Sequence, residues 1–199
     1  MATSTSSSVF QKFIMGITGL LLVGFTVTHL AGNLLLYPAD GTLFNQYAEK
    51  LASFGPLLYA AEIGLVAFFL FHSVTGKATP TKYAIRASKG GPSKWGFAAN
   101  NMAITGTILL VFLVLHIVHF KYGAGVEAGY VATLPGGVEA RDLHRLVVEQ
   151  FKNPVIVALY TVVMLVLAVH LKHGIWSAFQ SLGLTRETNT RKIYFVGGA

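Results

Sequence analysis

The chain has 199 residues, of which 53% are hydrophobic and only 12% are charged, whereas a soluble domain usually carries roughly 25% charged residues. It contains no cysteine, which excludes disulfides, iron–sulfur ligation and covalent c-type haem attachment. The net charge of +7 is assigned to membrane topology rather than to nucleic acid, because the basic residues lie between apolar segments.

Four apolar segments are long enough to cross a bilayer, which takes about 20 residues. The predicted helices I to IV run from about 13 to 37, 56 to 76, 98 to 120 and 154 to 176. Helix I is predicted to be retained rather than cleaved as a signal peptide, since its apolar run is too long. No clear internal repeat is apparent, and residues 1–199 are predicted to form a single membrane-anchor domain.

The connections between the helices predict the orientation of the chain. The II–III connection, 77–95, is basic and holds no acid, so the positive-inside rule places it, with both termini, in the cytoplasm. The I–II and III–IV connections then lie outside. A short interfacial helix is predicted within 140–151, and His144 in this stretch is expected to be solvated. Its apolar face is predicted to consist of Leu143, Val147 and Phe151.

Each predicted helix carries a histidine deep in its apolar run: His29, His72, His116 and His170. A histidine inside a span is costly unless it is paired, wetted or bonded. With a rise of about 1.5 Å per residue, the histidines of helices I and III fall on the outer side of the midplane, and those of helices II and IV on the inner side. Two histidines at one level can ligate a porphyrin iron, so the pattern predicts two haems at two depths.

Other interpretations stay open on these residues alone. A single membrane histidine can be a hydrogen-bonded packing residue, and proton relays and metal transporters also use them. His119 and His173 follow His116 and His170 by three residues, near the same helix faces, and they rank second as ligands on depth. Glu62 is either a carboxyl that snorkels or stays protonated, or a proton-handling group near a quinone. Gly16, Gly19, Gly24 and Gly106 either allow close helix packing or make room for a porphyrin edge.

Several stretches resemble a known family: SVFQKFIMGITGLLLVGFTVTHLAGNLLLY, FNQYAEKL, AAEIGLVAFFLFHSVTG, NMAITGTILLVFLVLHIVHF and HLKHGIWSAFQSLGL. They are similar to the cytochrome b subunit of succinate dehydrogenase/fumarate reductase, in its dihaem b558-type form. The resemblance covers nearly all four helices and implies an all-α membrane protein, a transmembrane four-helix bundle binding two haems. The family normally has a fifth helix, which is either absent here or only begun by the tail IYFVGGA.

The resemblance implies two haem b groups as cofactors. It makes His29 and His116 the axial ligands of the outer haem, and His72 and His170 those of the inner haem, with His170 preferred to His173. It also implies a flavoprotein subunit with FAD and an iron–sulfur subunit as partners. Electrons would pass from succinate to menaquinone. The expected location is the bacterial inner (cytoplasmic) membrane, with a cytoplasmic N-terminus and no nucleic-acid partner.

A quinone site is predicted near the outer haem, because a quinone needs hydrogen bonds at its carbonyls and a proton source. Its candidate residues are Glu62, Asn33, Tyr37, Asn45, Glu49 and His119. Family members differ on this site, so the inner face stays open as its location. Basic residues on the cytoplasmic side are predicted to dock the iron–sulfur subunit: Lys77, Lys82, Arg86, Lys89, Lys94, Arg186, Arg191 and Lys192.

Two other functions fit less of the pattern. One is the cytochrome b subunit of another membrane redox complex, such as a hydrogenase or formate dehydrogenase, whose spacing and flanking residues match poorly. The other is a haem-free channel or transporter. Some dihaem members carry a glutamate two residues before the helix IV ligand for transmembrane proton transfer. That position is Ala168 here, which weakens any expectation of that proton route.

Overall fold

The computed structural model describes residues 8–78, 101–185 and 193. The chain is mostly helical, and it has four helices long and apolar enough to cross a membrane, as predicted. These spans are Val9–Leu36, Pro56–Gly76, Met102–Lys121 and Pro154–Ser181. The predicted start of helix III, the predicted docking residues beyond Lys77, and residues 194–199 of the tail lie outside the described residues.

The elements follow one another in a simple order. They are α1 (Ser8–Asn33), a 3-10 turn (Leu34–Leu36), α2 (Thr42–Ala52), α3 (Pro56–Ala78), α4 (Met102–His116), a π turn (Ile117–Lys121), a second 3-10 turn (Val126–Ala128), β1 (Val131–Leu134), β2 (Val138–Arg141), α5 (Leu143–Gln150) and α6 (Pro154–Ser181). Predicted helices I to IV are α1, α3, α4 and α6. Helix α1 begins before residue 13 and α6 continues past residue 176, because helical hydrogen bonds extend beyond the apolar run into polar residues.

The long helices expose large apolar side chains. Leu30 is 61% exposed, Leu57 67% and Val155 71%. In water a soluble protein rarely shows contiguous apolar surface of this kind, whereas lipid tails are as apolar as leucine itself. The exposure therefore fits helices that face lipid.

By its internal contacts the chain divides into two units. Unit 1 comprises Met1–Gly24, Leu65–Leu110 and Met164–Ala199, and unit 2 comprises Phe25–Gly64 and Val111–Val163. Each of the four long helices contributes to both units. His72 and His170 belong to unit 1, and His29 and His116 belong to unit 2.

In unit 2 the two connections that were predicted to share the outer side fold against each other. Helix α2 contacts β1, β2 and α5. We call these four elements the cap. Strands β1 and β2 pair antiparallel, with Leu134 opposite Val138, and Gly136 and Gly137 in the connection both have positive φ, a conformation that glycine adopts readily. The buried apolar side chains of the cap are Phe44, Leu134, Ala140 and Leu146.

The observed structure of the cap differs from the sequence predictions in three respects. The predicted all-α class omits the hairpin, and α2 lies where only a loop was expected. Helix α5 is present but starts at Leu143, because Asp142 caps it by accepting the Arg145 backbone N–H at 3.0 Å. Its most buried side chain is Leu146, 1% exposed, which was not on the predicted face.

Candidate functional site

The first histidine pair lies in unit 2, where His29 of α1 faces His116 of α4. The ring centroids are 5.7 Å apart, with the planes at 84°. Phe25 stacks on His29 at 5.4 Å, and Phe112 lies against His116 at 5.7 Å. Each phenylalanine stands four residues before its histidine, on the same helix face, so the two helices present matching aromatic pairs.

The second pair lies in unit 1, where His72 of α3 faces His170 of α6. The ring centroids are 6.4 Å apart, with the planes at 69°. A Cβ added at Gly19 would lie 3.2 Å from Cε1 of His72, and one at Gly106 would lie 3.4 Å from Cε1 of His170. Both rings therefore rest on a glycine of a neighbouring helix. The contacts join helix I with III and helix II with IV, as the sequence predicts.

Two threonines contact the second pair, and the sequence interpretation missed both. Thr105 Oγ1 lies 2.9 Å from Nδ1 of His170, and Thr18 Oγ1 lies 3.3 Å from Nδ1 of His72. Both threonines are buried, being 8% and 6% exposed. Each hydroxyl also donates to a carbonyl of its own helix, Thr105 to Asn101 at 3.0 Å and Thr18 to Ile14 at 2.9 Å.

A signal for these threonines is present in the sequence. Residues 15–29, MGITGLLLVGFTVTH, and 102–116, MAITGTILLVFLVLH, are identical at eight of 15 positions. The shared residues are Met, Ile, Thr, Gly, Leu, Phe, Val and His. The expectation of no clear repeat is therefore wrong. The identical positions include the ligand candidates, the stacked phenylalanines, the threonines and the glycines beneath the rings.

His116 also connects to a short hydrogen-bonded chain. The hydroxyl of Tyr160 lies 3.4 Å from Nδ1 of His116 and 3.2 Å from Nδ1 of His119. Nε2 of His119 lies 2.9 Å from Oε1 of Gln150. Both ring nitrogens of His119 are thus engaged, and its half-buried side chain joins α6 to the cap. The segment that carries it, Ile117–Lys121, is a π turn, a feature frequent at functional sites.

The residues of each pair fit an iron that brings most of its own ligands. Among the described residues, no group of three or more His, Cys, Asp or Glu side chains could hold a metal ion, whereas a zinc site takes three or four protein ligands. A haem iron takes only axial ligands from the protein. Two metal–imidazole bonds of about 2 Å each, together with the ring radii, bring two such rings to nearly the separations observed here.

The ring separations alone also fit an edge-to-face contact of two free rings. Hydrogen bonding favours the ligand interpretation. Within the described part of the chain no hydrogen bond joins the two histidines of either pair, and the imidazole ring of His29 has no hydrogen-bond partner there. Such a ring inside an apolar span is expected to have another partner.

The six quinone candidates are all described, and no side-chain hydrogen bond or ion pair joins any two of them. Asn45, 3% exposed, donates to Asp142 at 2.8 Å and accepts the His144 backbone N–H at 2.9 Å. Glu62 is ion-paired with Lys121. Tyr37 is 84% exposed.

Asn33 and Glu49 are half-buried. His144, expected to be solvated, is instead half-buried, with Nε2 at 3.3 Å from the Leu36 carbonyl oxygen. His170 rather than His173 faces His72.

Comparison of the chain with protein-family models, with curated proteins and with solved structures finds no match. The family resemblance of the sequence therefore stays a prediction. The fold and the two histidine pairs are described from this chain alone.

Proposed function

We propose that this chain is the dihaem cytochrome b membrane anchor of a succinate:quinone oxidoreductase, passing electrons between an iron–sulfur subunit and menaquinone. The observation that carries the proposal is the contact of His29 with His116 and of His72 with His170. Four histidines on four apolar helices meet in two pairs, and the partners are those that the sequence depth and the family resemblance predict.

The chain's own residues would act by ligation and positioning. Each histidine would offer one ring nitrogen to iron, while stacked phenylalanines and glycines fix the ring planes. Haem iron, when bound, supplies a one-electron couple whose potential is set by its axial ligands and their surroundings. The apolar exterior of the four helices supports a lipid location.

The test is haem content measured by pyridine haemochrome analysis of the purified full chain. We expect two non-covalent haems per chain, and we expect His29→Ala and His72→Ala each to lose one of them. His173→Ala is the matched control, because His173 lies one turn beyond His170 on α6 and belongs to neither pair. One haem or none in intact wild-type protein would overturn the proposal.

Partner capture separates the proposed anchor from the cytochrome b subunit of another redox complex. We expect a flavin-containing subunit to co-purify with the chain from its native membrane. If a hydrogenase or formate dehydrogenase subunit were captured with both haems present, the haem ligands would stand, but the chain would belong to that other complex. A reduced-minus-oxidised spectrum without haem bands would instead favour a channel or transporter.

A further inference from the structure

We infer that three hydroxyl groups, those of Thr18, Thr105 and Tyr160, fix the tautomer of three of the four histidines, so that Nε2 of each carries the free lone pair. The inference rests on the proposed function, since the lone pair matters because iron would take it. It assigns to the three residues a positioning role; the repeat of residues 15–29 in 102–116 includes the two threonines but does not itself give them that role.

The tautomer follows from counting protons at the threonines. A threonine hydroxyl has one proton to donate and two lone pairs. Thr105 lies within reach of its own helix carbonyls, Asn101 O at 3.0 Å and Met102 O at 3.2 Å, and a hydroxyl inside a helix commonly donates to such a carbonyl. Its oxygen is then an acceptor toward His170. Nδ1 of His170, 2.9 Å away, must carry the proton, and Nε2 is left with its lone pair.

The same count holds at Thr18, with one difference. Its hydroxyl donates to Ile14 O at 2.9 Å and meets Nδ1 of His72 at 3.3 Å. The distance from Thr18 Oγ1 to Nδ1 of His72 is longer than the 2.9 Å from Thr105 Oγ1 to Nδ1 of His170, so the hydrogen bond of Thr18 is the weaker of the two.

A chain of three side chains fixes His116. Oε1 of Gln150 can only accept, so Nε2 of His119, 2.9 Å away, carries a proton, and its Nδ1 has a lone pair. That lone pair accepts the proton of Tyr160 at 3.2 Å. The oxygen of Tyr160 is therefore free to accept from Nδ1 of His116 at 3.4 Å, and Nε2 of His116 is again the unprotonated nitrogen.

A hydrogen bond from Nδ1–H makes a histidine a stronger donor to its metal, and loss of such a partner typically weakens metal binding about 10–100-fold. A stronger donor stabilises ferric over ferrous iron, so removal of the acceptor raises the midpoint potential. Thr18 and Thr105 contact the two ligands of one predicted haem, and Tyr160 contacts a ligand of the other.

The experiment is an optical redox titration of the full chain with both haems bound, comparing Thr105→Val, Thr18→Val and Tyr160→Phe. We expect Thr105→Val and Thr18→Val to raise the same one of the two midpoint potentials, Thr105→Val by more, and Tyr160→Phe to raise the other. Thr105→Ser, which keeps the hydroxyl, should restore the wild-type potential. The matched control is Thr107→Val, because Thr107 is exposed and donates only to the Ala103 carbonyl at 2.8 Å.

Equal potentials in Thr105→Val and Thr107→Val would overturn the inference, as would a shift of both haems by either threonine variant. A second measurement does not depend on haem. In the full chain labelled with ¹⁵N-histidine and kept haem-free in detergent, the nitrogen shifts of His170 should report Nδ1–H in the wild type and a mixture in Thr105→Val. Failure of the proposed function would appear as a wild type that binds no haem, whereas failure of this inference would appear as an Nε2–H tautomer at His170.

Discussion

Lys121, the last residue of the third span, is ion-paired with Glu62 in the second span. The ammonium of Lys121 also lies 5.6 Å from the ring centroid of Tyr59. Glu62 is the acid for which the sequence left two roles open, a snorkelling or protonated carboxyl and a proton donor to quinone. The salt bridge to Lys121 is the contact that this structure gives the Glu62 carboxylate, and it supports a role in balancing the charge of the lysine.

The pair predicts matched effects of two substitutions. Glu62→Gln and Lys121→Gln should each destabilise the chain in detergent, and the double variant should recover part of the loss. The side chains are 34% and 36% exposed, so we expect a coupling free energy of at most about 1 kcal/mol, as for exposed pairs. A double-mutant cycle on the unfolding midpoint measures it.

The same variants distinguish pairing from proton transfer. If Glu62 only balances charge, quinone turnover changes to the same small extent in both single variants. A large loss of turnover in Glu62→Gln alone, with no coupling to Lys121, would return Glu62 to the quinone site.

The side chain of Arg141 forms hydrogen bonds with the backbone at the C-terminal end of the third span. Its guanidinium donates to four backbone carbonyls at 2.8 to 3.0 Å, those of Phe120, Lys121, Gly123 and Ala124. Carbonyls at a helix end have no partner within the helix, and the planar fork of arginine cannot be reproduced by lysine. We expect Arg141→Lys to cost about 1–3 kcal/mol of unfolding free energy.

The control for Arg141 is Arg145→Lys in the same cap. Arg145 is exposed and pairs with Glu149 one turn away on its own helix, an ion pair that solvent screens. Amide hydrogen exchange at residues 117–124 should accelerate in Arg141→Lys alone. Equal protection in the two variants would contradict the role assigned to Arg141.

Asn45 ties the two connections of the cap together. Its amide donates to Asp142 and accepts from the backbone of His144, so Asn45→Ala leaves the His144 N–H without this acceptor and removes one of the two hydrogen bonds that Asp142 accepts. We expect a loss of about 1–3 kcal/mol, measured by thermal unfolding in detergent. Gln46→Ala, at the half-buried neighbouring position, should cost less. If Asn45→Ala left stability unchanged and impaired quinone turnover, the original placement of Asn45 in a quinone site would regain support.

Stability at acid pH should depend on Tyr130. The hydroxyl of Tyr130 donates to Glu149 at 2.7 Å, and Arg145 donates to the same carboxylate at 2.8 Å. The tyrosine bond is the largest of the causes that lower the pKa of Glu149, ahead of the hydrogen bond from Arg145. A lowered pKa in the folded state contributes stability above the ordinary pKa of the carboxyl, and this stability is lost as the pH falls through the folded value.

Tyr130→Phe should therefore raise the pKa of Glu149 toward its ordinary value. The range of pH over which the stability contributed by Glu149 is lost should then become narrower. A ¹³C NMR titration of the carboxyl measures the pKa, and unfolding midpoints across the acid range measure the stability. Tyr122→Phe is the control, since Tyr122 is 71% exposed and makes no contact with Glu149. An unchanged pKa in Tyr130→Phe would contradict the assignment.

The spans and the histidine pairs were predictable because they depend on signals that are local or simply counted. Apolar length defines a span, and the depth of a histidine follows from its position along a straight helix. To predict that His29 and His116 lie at the same depth, only one further assumption was needed, that successive helices run in alternating directions.

The cap was not predictable in the same way. The turn of its hairpin contains Gly136 and Gly137. Glycine is equally common in irregular loops, so these residues did not distinguish a hairpin from a loop. Asn45 and Asp142 are distant in sequence and meet only through tertiary packing. Thr18 and Thr105 occupy the same position of the repeat between 15–29 and 102–116, but only their contacts with the histidine rings show what that position does.

The repeat of 15–29 in 102–116 bears on how such a chain could have arisen. His29 meets His116, which occupies the same position of the repeat, and His72 meets His170, each sixteen residues after a proline that opens its helix. In a symmetric dimer, residues on the two-fold axis meet their own copies. Duplication and fusion of one gene for a two-helix chain would yield this pairing of like with like, and each of these histidines in the unfused ancestor would have met its own copy in the partner chain.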